Sequence, residues 1–379
     1  MDPILSYVQS KQNELITLIR EMVECESPSD DAAAVNRFVD LMAVRVAGLG
    51  NVQTFPGGRF GKHMQVEFLL PGLKKSGQIL ALGHSDTVWP MGTLKVMPFK
   101  QDKGRLWGPG VLDMKAGVAF FLFAMRALRD LHIEVKRKVV LQLNSDEEVG
   151  SDSSRALTEK MAKKSQAVLV LEPGTGLQGK LKTARKGVGG YHVHVKGVAA
   201  HAGVDFTAGS SAIVELAKQI EKIAGFTNLK AGLTVNPGVI RGGTRSNVIA
   251  AEAHADVDIR IAKLKDAGPL EKKFLALKAF DKKCKVTVTG GLNRPPMERT
   301  KEIGELFLKA KKLAAELGVK IEESMTGGGS DGNFTAALGV PTLDGLGAVG
   351  EGAHASHESL LVDRIADRTA LLAKLVATL

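Results

Sequence analysis

Apolar residues recur every three or four positions over residues 4–23 (Ile4, Val8, Leu15, Ile19, Met22) and again over 32–49. The chain is therefore predicted to open with two amphipathic helices, the second capped by Ser29 or Asp30. Short strands follow at 51–55 and 64–70, the latter stopped by Pro71-Gly72. The run Ile79-Leu80-Ala81-Leu82 has no polar side and reads as a strand buried on both faces. Beyond it a helix is predicted over 115–128, a strand over 138–144, a helix over 153–163 and an apolar strand over 167–171. Such strands alternating with helices predict an α/β layer around a mostly parallel sheet.

The period changes after Gly179. Residues 187–198 alternate, Tyr191, Val193 and Val195 against His192, His194 and Lys196, as in a half-exposed strand. A helix (210–223), two strands (233–240, 247–261), a helix (270–280) and a strand (285–289) complete the order β-α-β-β-α-β, an α+β unit with its own antiparallel sheet. After Arg294-Pro295-Pro296 the α/β pattern returns: a helix (301–317), a strand (319–324), a helix (331–338) and a last helix from Asp363. The expected organisation is a discontinuous main domain, 1–181 and 294–379, interrupted by an inserted domain, 182–293.

Composition narrows the class. With 379 residues, 44% hydrophobic and 24% charged, the chain is globular and long enough for two domains. Its formal charge of +10 is spread without a dense Lys/Arg block, which argues against nucleic acid as a partner. The N-terminal helix carries charges throughout, unlike a signal peptide. The longest apolar run, 116–125, is too short to span a bilayer. Cys25 and Cys284 are isolated thiols, as expected of a reducing compartment. A soluble cytoplasmic protein with no membrane partner is the expectation.

Candidate chemistry gathers at strand ends. His84 and Asp86 follow the 79–82 strand, and Asp113 follows the Gly108-Pro109-Gly110 turn. Glu147 and Glu148 follow the 138–144 strand, Glu172 the 167–171 strand, and His354 lies in a late Gly-Ala-His-Ala turn. Ligands in open α/β sheets bind at such strand ends. Two histidines with carboxylates make the N/O donor set of zinc or a similar divalent ion, and a shared carboxylate would let five residues hold a pair. Adjacent glutamates point to different sides of the chain, so one can bind metal while the other faces water. Gly327-Gly328-Gly329-Ser330-Asp331 lacks the Lys-Ser/Thr ending of a phosphate loop and reads as a carboxylate-binding turn at a helix start. No glycine fingerprint supports a nucleotide-dependent dehydrogenase.

The motifs LALGHSDTVWP, GPGVLDMKAG, NSDEEVGS, LEPG, RKGVGGYHVHVKGVAAHAG, GGTRSNVIAAEA, RPPME, TGGGSDGNF and GAHASHE span nearly the whole chain. In this order they resemble the dizinc aminoacylase/carboxypeptidase superfamily, which includes acetylornithine deacetylase and succinyl-diaminopimelate desuccinylase. The bacterial glutamate carboxypeptidase branch is the most similar. The resemblance implies two zinc ions, with cobalt or manganese as substitutes, bridged by Asp113. His84 and Glu172 complete one site, Glu148 and His354 the other. It implies Glu147 as general base, Asp86 as the acceptor that orients the His84 ring, and a cis peptide after Asp113. His357 falls where relatives more often carry Asp, which leaves a swap with His354 open; Glu358, four residues after His354, favours His354.

The inserted domain of the family is a lid that dimerises, so His201 is expected to steady the oxyanion in a partner's site. Asn247, Arg260, Arg294, Gly328 and Gly329 are expected to bind substrate, Arg294 gripping a glutamate carboxylate in its planar fork. The implied activity is release of a C-terminal amino acid, glutamate foremost, from a small peptide or amide. N-acyl-amino-acid deacylase and dipeptidase are the alternatives within the family, and a non-catalytic binding protein with a relic site the alternative outside it.

Overall fold

The computed structural model describes residues 2–379. In place of the single helix predicted over 4–23 stand α1 (Pro3–Ser10) and α2 (Gln12–Glu24), interrupted at Lys11. Next come α3 (Ala32–Arg45), β1 (Gly50–Pro56), β2 (Lys62–Phe68), β3 (Gln78–His84), β4 (Lys100–Asp102) and β5 (Arg105–Trp107). The cap of α3 is Asp31, whose carboxylate accepts from Ala34 N at 2.9 Å, one residue beyond the predicted caps. There follow α4 (Ala116–Asp130), β6 (Lys138–Asn144), α5 (Arg155–Ala162), β7 (Ser165–Val170) and β8 (Leu181–Arg185). Then come β9 (Gly187–Lys196), α6 (Ala212–Ala224), β10 (Thr234–Gly242), β11 (Glu252–Ile261), α7 (Ala267–Leu275) and β12 (Lys285–Arg294). The chain ends with α8 (Lys301–Glu316), β13 (Glu323–Thr326), α9 (Gly332–Ala337), β14 (Thr342–Leu343), β15 (Gly350–Glu351), β16 (Ser359–Leu361) and α10 (Ile365–Thr378).

These elements form two compact units. The first holds the chain up to Ala184 with Arg299–Thr326 and Ser330–Leu379; the second holds Arg185–Glu298 with Gly327–Gly329. The first is built on a six-stranded sheet of order β1-β2-β6-β3-β7-β14. Strands β6, β3, β7 and β14 run parallel, and β1 and β2 are antiparallel at one edge. The reason is legible in β3: Ile79 and Ala81 enter the large core with α4 and α10, while Leu80 and Leu82 enter a smaller core with Met161 and Ala162 of α5. A strand apolar on both faces must be covered on both faces. Three fully buried phenylalanines of α4, Phe120, Phe121 and Phe123, each contribute about 2–3 kcal/mol by leaving water.

Of the strands in two small sheets, β13-β8 and β15-β16-β5-β4, only β13 overlaps a predicted strand, that over 319–324. Their strands are two to five residues long, too short for a period of two to register.

The second unit is a four-stranded antiparallel sheet, β10-β11-β9-β12. One face buries Tyr191, Val193, Val195, Val257 and Ile259 against Leu216 of α6 and Phe274 of α7, with Tyr191 stacked on Phe274 at 3.8 Å between centroids. The strand predicted over 247–261 begins only at Glu252, because Ile249 N is spent on Ala200 O. The strand predicted over 285–289 instead continues to Arg294.

Candidate active site

Strand order decides where the acidic turns meet. β3 lies between β6 and β7, all three parallel, so the residues after them emerge side by side. His84 ends β3, Glu147 and Glu148 follow β6, and Glu172 follows β7. The His84 Nδ1 donates to the Asp86 carbonyl at 2.9 Å, which turns Nε2 towards Asp113 Oδ1 at 3.2 Å and Glu172 Oε1 at 3.7 Å.

Asp86 thus meets the His84 ring through its carbonyl, not its carboxylate. The carboxylate stands 3.6 Å from the His84 ring and accepts instead from Ser29 Oγ (2.7 Å) and from the N–H groups of Glu147 and Glu148 (3.2 Å each). It therefore sets the acidic turn, while its backbone orients the imidazole. Burial pushes the Asp86 carboxyl up to about 6, against the pull of His84 and Ser29.

Asp113 lies in the turn before α4, and the Asp113–Met114 peptide is cis. Gly110 enters that turn at φ +71°, and a Cβ there would lie 2.7 Å from Thr87 Cγ2, so the turn requires glycine. The turn is fixed by a carboxylate from far along the chain. Glu358 accepts from Leu112 N (2.8 Å) and Asp113 N (3.0 Å) with one oxygen, and from Gly110 N (2.9 Å) and Trp89 Nε1 (2.8 Å) with the other. Held this way, Asp113 offers its second oxygen to His354 Nε2 at 3.4 Å, and the same nitrogen is 3.3 Å from Glu148 Oε1. His354, not His357, faces the carboxylates, and it does so at φ +62°, a strained conformation for a non-glycine residue.

The electrostatics of this cluster call for a cation. Burial disfavours a charge on His84, but Asp113, Asp86 and Glu148 outweigh it and hold its pKa well above the usual histidine value. The carboxylates of Asp113 and Glu148 beside its ring raise His354 to about 10. Burial would raise the Asp113 carboxyl, yet the two imidazoles take it far below its usual range. Protons on the two rings thus stand where positive charge is needed. Glu148 Oε1 is buried without a geometrically sound hydrogen bond, a donor atom left over for something else. The donor atoms of His84, Asp113 and Glu148 lie within 4.8 Å of one another, as do those of His84, Glu147 and Glu172. An all-N/O set of this size, with one carboxylate facing two imidazoles, fits a pair of divalent ions.

The other predicted residues lie in the second unit. His201 is exposed, and its Nδ1 accepts from Gly203 N (3.1 Å) and Val204 N (3.2 Å), which leaves the ring proton on Nε2. Asn247 is exposed, and its carbonyl accepts from Ala202 N. Arg260 reaches Asp258 (2.9 Å) and Gly327 O (3.3 Å). The carbonyls of Gly328 and Gly329 accept from Arg185 Nη1 at 3.1 and 2.9 Å. A Cβ on Gly329 would lie 3.0 Å from Arg294 Cδ. Three arginines therefore converge on the Gly327–Gly329 backbone, and α9 starts only at Gly332.

The family model of Peptidase family M20/M25/M40 matches residues 80–378, a stretch that carries every ligand candidate. The chain belongs to this family. Carboxypeptidase G2 of Pseudomonas sp. (strain RS-16) is 28% identical over 97% of this chain and 90% of its own length. The fold is shared with the aminopeptidase PepT of Bacillus cereus ATCC 10987 (TM-score 0.79, 22% identity, 97% of this chain and 98% of that one). It is shared too with the dipeptidase Dug1p of Saccharomyces cerevisiae (TM-score 0.73, 15% identity, 99% and 97%). Membership of the M20/M25/M40 peptidases makes the protein a metallopeptidase, a hydrolase of small peptides.

The sequence does not single out two buried residues of this M20/M25/M40 peptidase, Glu358 and Arg185, as functional. Glu358 served there only as a marker for His354, although it holds the Asp113 turn. Arg185 precedes the Gly187–Lys196 strand and looks like one surface cation among many until it is found buried against the glycine loop. Among the described residues no helix is long and apolar enough to cross a membrane.

Proposed function

We propose that this peptidase releases an amino acid with a free α-carboxylate, glutamate foremost, from a small peptide or amide, using two zinc ions. One observation carries the reading: the two oxygens of Asp113 each face an imidazole, with Glu148 and Glu172 completing the two halves. His84, Asp113 and Glu172 would hold one ion, and His354, Asp113 and Glu148 the other. Bound there, the ions would acidify a water and polarise the scissile carbonyl. Glu147 is assigned the proton, taken from that water and returned to the leaving amine. The Nε2–H of His201 suits an oxyanion, and we assign it to a site in a second copy of the chain. Arg185, Arg260 and Arg294, gathered on the glycine loop, are assigned the carboxylate of the departing amino acid.

Support for a homodimer through the second unit comes from its apolar surface. Val204, Phe206, Ile213 and Val214 are exposed, and β10 is an edge strand with Ile240 exposed. The free Cys25 and Cys284 suit a cytoplasmic protein.

Dipeptidase or N-acyl-amino-acid deacylase activity is the second reading, favoured by the fold shared with a dipeptidase and an aminopeptidase. A release assay with the zinc-loaded protein separates them, run on peptidyl- and pteroyl-glutamates, free dipeptides and N-acetyl amino acids. Fastest release of C-terminal glutamate is expected. Preference for dipeptides with a free amine would transfer the assignment to the second reading, and a protein that takes up no metal would restore the relic-site alternative.

A further inference from the structure

We propose a separate divalent-metal site on the open face of the second unit's sheet, with His194, His254 and Glu252 as ligands. It does not depend on the peptidase chemistry. His194 on β9 and His254 on β11 are directly opposed in the register. Their rings lie parallel, 4° between planes and 4.4 Å between centroids. Glu252 is two residues before His254 on the same strand and so projects from the same face. One donor atom from each of the three lies within 4.8 Å of the others.

A second observation sets this pair apart from ordinary ring stacking. His194 Nε2 is buried and has no hydrogen-bond partner. Leaving such a nitrogen unsatisfied is unfavourable, and coordination would remove that cost. The neighbouring histidine on the same face, His192, is already committed to Asp256 at 2.6 Å and is left out of the site.

The ligands can close on an ion without disturbing the sheet. Bonds of about 2.0–2.1 Å in a tetrahedron place donor atoms roughly 3.3 Å apart. His254 and Glu252 are exposed and can swing inward, whereas the half-buried His194 supplies the fixed point. A depression of about 580 Å³ lined by Arg241, Gly242, Glu252 and His254 leaves room for water as a fourth ligand. Two imidazoles with one carboxylate select zinc, nickel or copper over magnesium and calcium, which demand oxygen donors. Lys196, opposite Glu252, and Arg241, opposite His254, add positive charge at the rim and weaken the site relative to the acidic cluster of the first unit.

The test uses the full-length chain with His84→Ala and His354→Ala together, which removes both imidazoles that face Asp113 in the first unit. Zinc titration followed by calorimetry, with cobalt absorption as the second readout, is expected to give one bound ion per chain. Adding His254→Ala should abolish that ion and the visible cobalt bands, and Glu252→Gln should weaken it at least tenfold. Both altered residues are exposed, so circular dichroism should match the background protein. Zinc uptake unaffected by His254→Ala, or no uptake by the background protein in metal excess, would overturn the proposal. Unchanged affinity in Glu252→Gln would overturn the ligand set as stated.

Discussion

Glu358 Oε1 accepts the backbone N–H of Asp113 at 3.0 Å, so a carboxylate from far along the chain holds the one that both imidazoles face. Both Glu358 oxygens are filled by donors, two on each side. Glu358→Gln would turn an NH2 group towards N–H groups on one side or the other. Leaving those buried donors unmatched costs about 1–3 kcal/mol each, and the Asp113 turn relaxes. Metal affinity is expected to fall about 10–100-fold, as for other losses of outer support. Competition with a chelator measures it; an unchanged affinity would show that the turn holds Asp113 without Glu358.

Glu147 and Glu148 are neighbours with different assignments, and substitution can separate them. Glu147→Gln keeps the size and the backbone N–H that Asp86 accepts at 3.2 Å. The two metal half-sites assigned above do not use its side chain. The expected outcome is full metal content with kcat reduced about 10²–10⁴-fold, the usual reach of a lost general base. Glu148→Gln should instead lower metal content, because its Oε1 faces His354 at 3.3 Å. A Glu147→Gln protein with normal turnover would remove Glu147 from the chemistry.

How much of this was legible beforehand follows the range of the interactions. β3, β6 and β7 could be read because strands apolar on both faces leave no other option, and their ends named His84, Glu147, Glu148 and Glu172. The break at Lys11 could not, since its apolar neighbours keep a helical spacing through it. Arg368 illustrates the limit. It is fully buried in α10, and its guanidinium donates to the carbonyls of Gly347 (2.9 Å), Gly179 (3.0 Å) and Gly345. Nothing in a helical period distinguishes it from a surface arginine, because its acceptors are backbone groups up to 189 positions away. Glu358 and Arg185 were hidden in the same way, by partners that only the fold brings near. Asp86 meets the His84 ring through its carbonyl, since sequence cannot say whether a carbonyl or a carboxylate of one residue turns to a ring.

The arginine-glycine loop makes a prediction about substrate ends. Arg294→Met removes a guanidinium assigned to the product carboxylate but keeps its aliphatic length. Charge-assisted hydrogen bonds of this kind are worth about 1.5–3 kcal/mol, so kcat/KM on a free-carboxylate substrate should drop roughly 10–100-fold. The same substrate capped as an amide should be affected little. Gly329→Ala tests the loop from the other side, since its Cβ would lie 2.9 Å from Val188 Cγ2 and 3.0 Å from Arg294 Cδ. It should raise KM for the carboxylate substrate. Equal losses on both substrates would mean that Arg294 supports the loop without reading the carboxylate.

Removing metal should cost the first unit stability, because its centre then gathers three carboxylates, Asp113, Glu148 and Glu172, around two imidazoles. A ligand present at one hundred times its dissociation constant stabilises the folded state by about 2.7 kcal/mol. For a unit of this size each kcal/mol moves the midpoint by about 2–4 °C. Chelation is therefore expected to lower the Tm of zinc-loaded protein by roughly 5–10 °C, and zinc should restore it. His84→Ala should begin at the lower value and respond less to chelation, because one half-site has lost its imidazole. The His254→Ala protein serves as the control for the second unit, and its first-unit transition should still respond in full. A zinc-loaded sample whose midpoint does not move on chelation would show that the cluster around Asp113 is not where the metal binds.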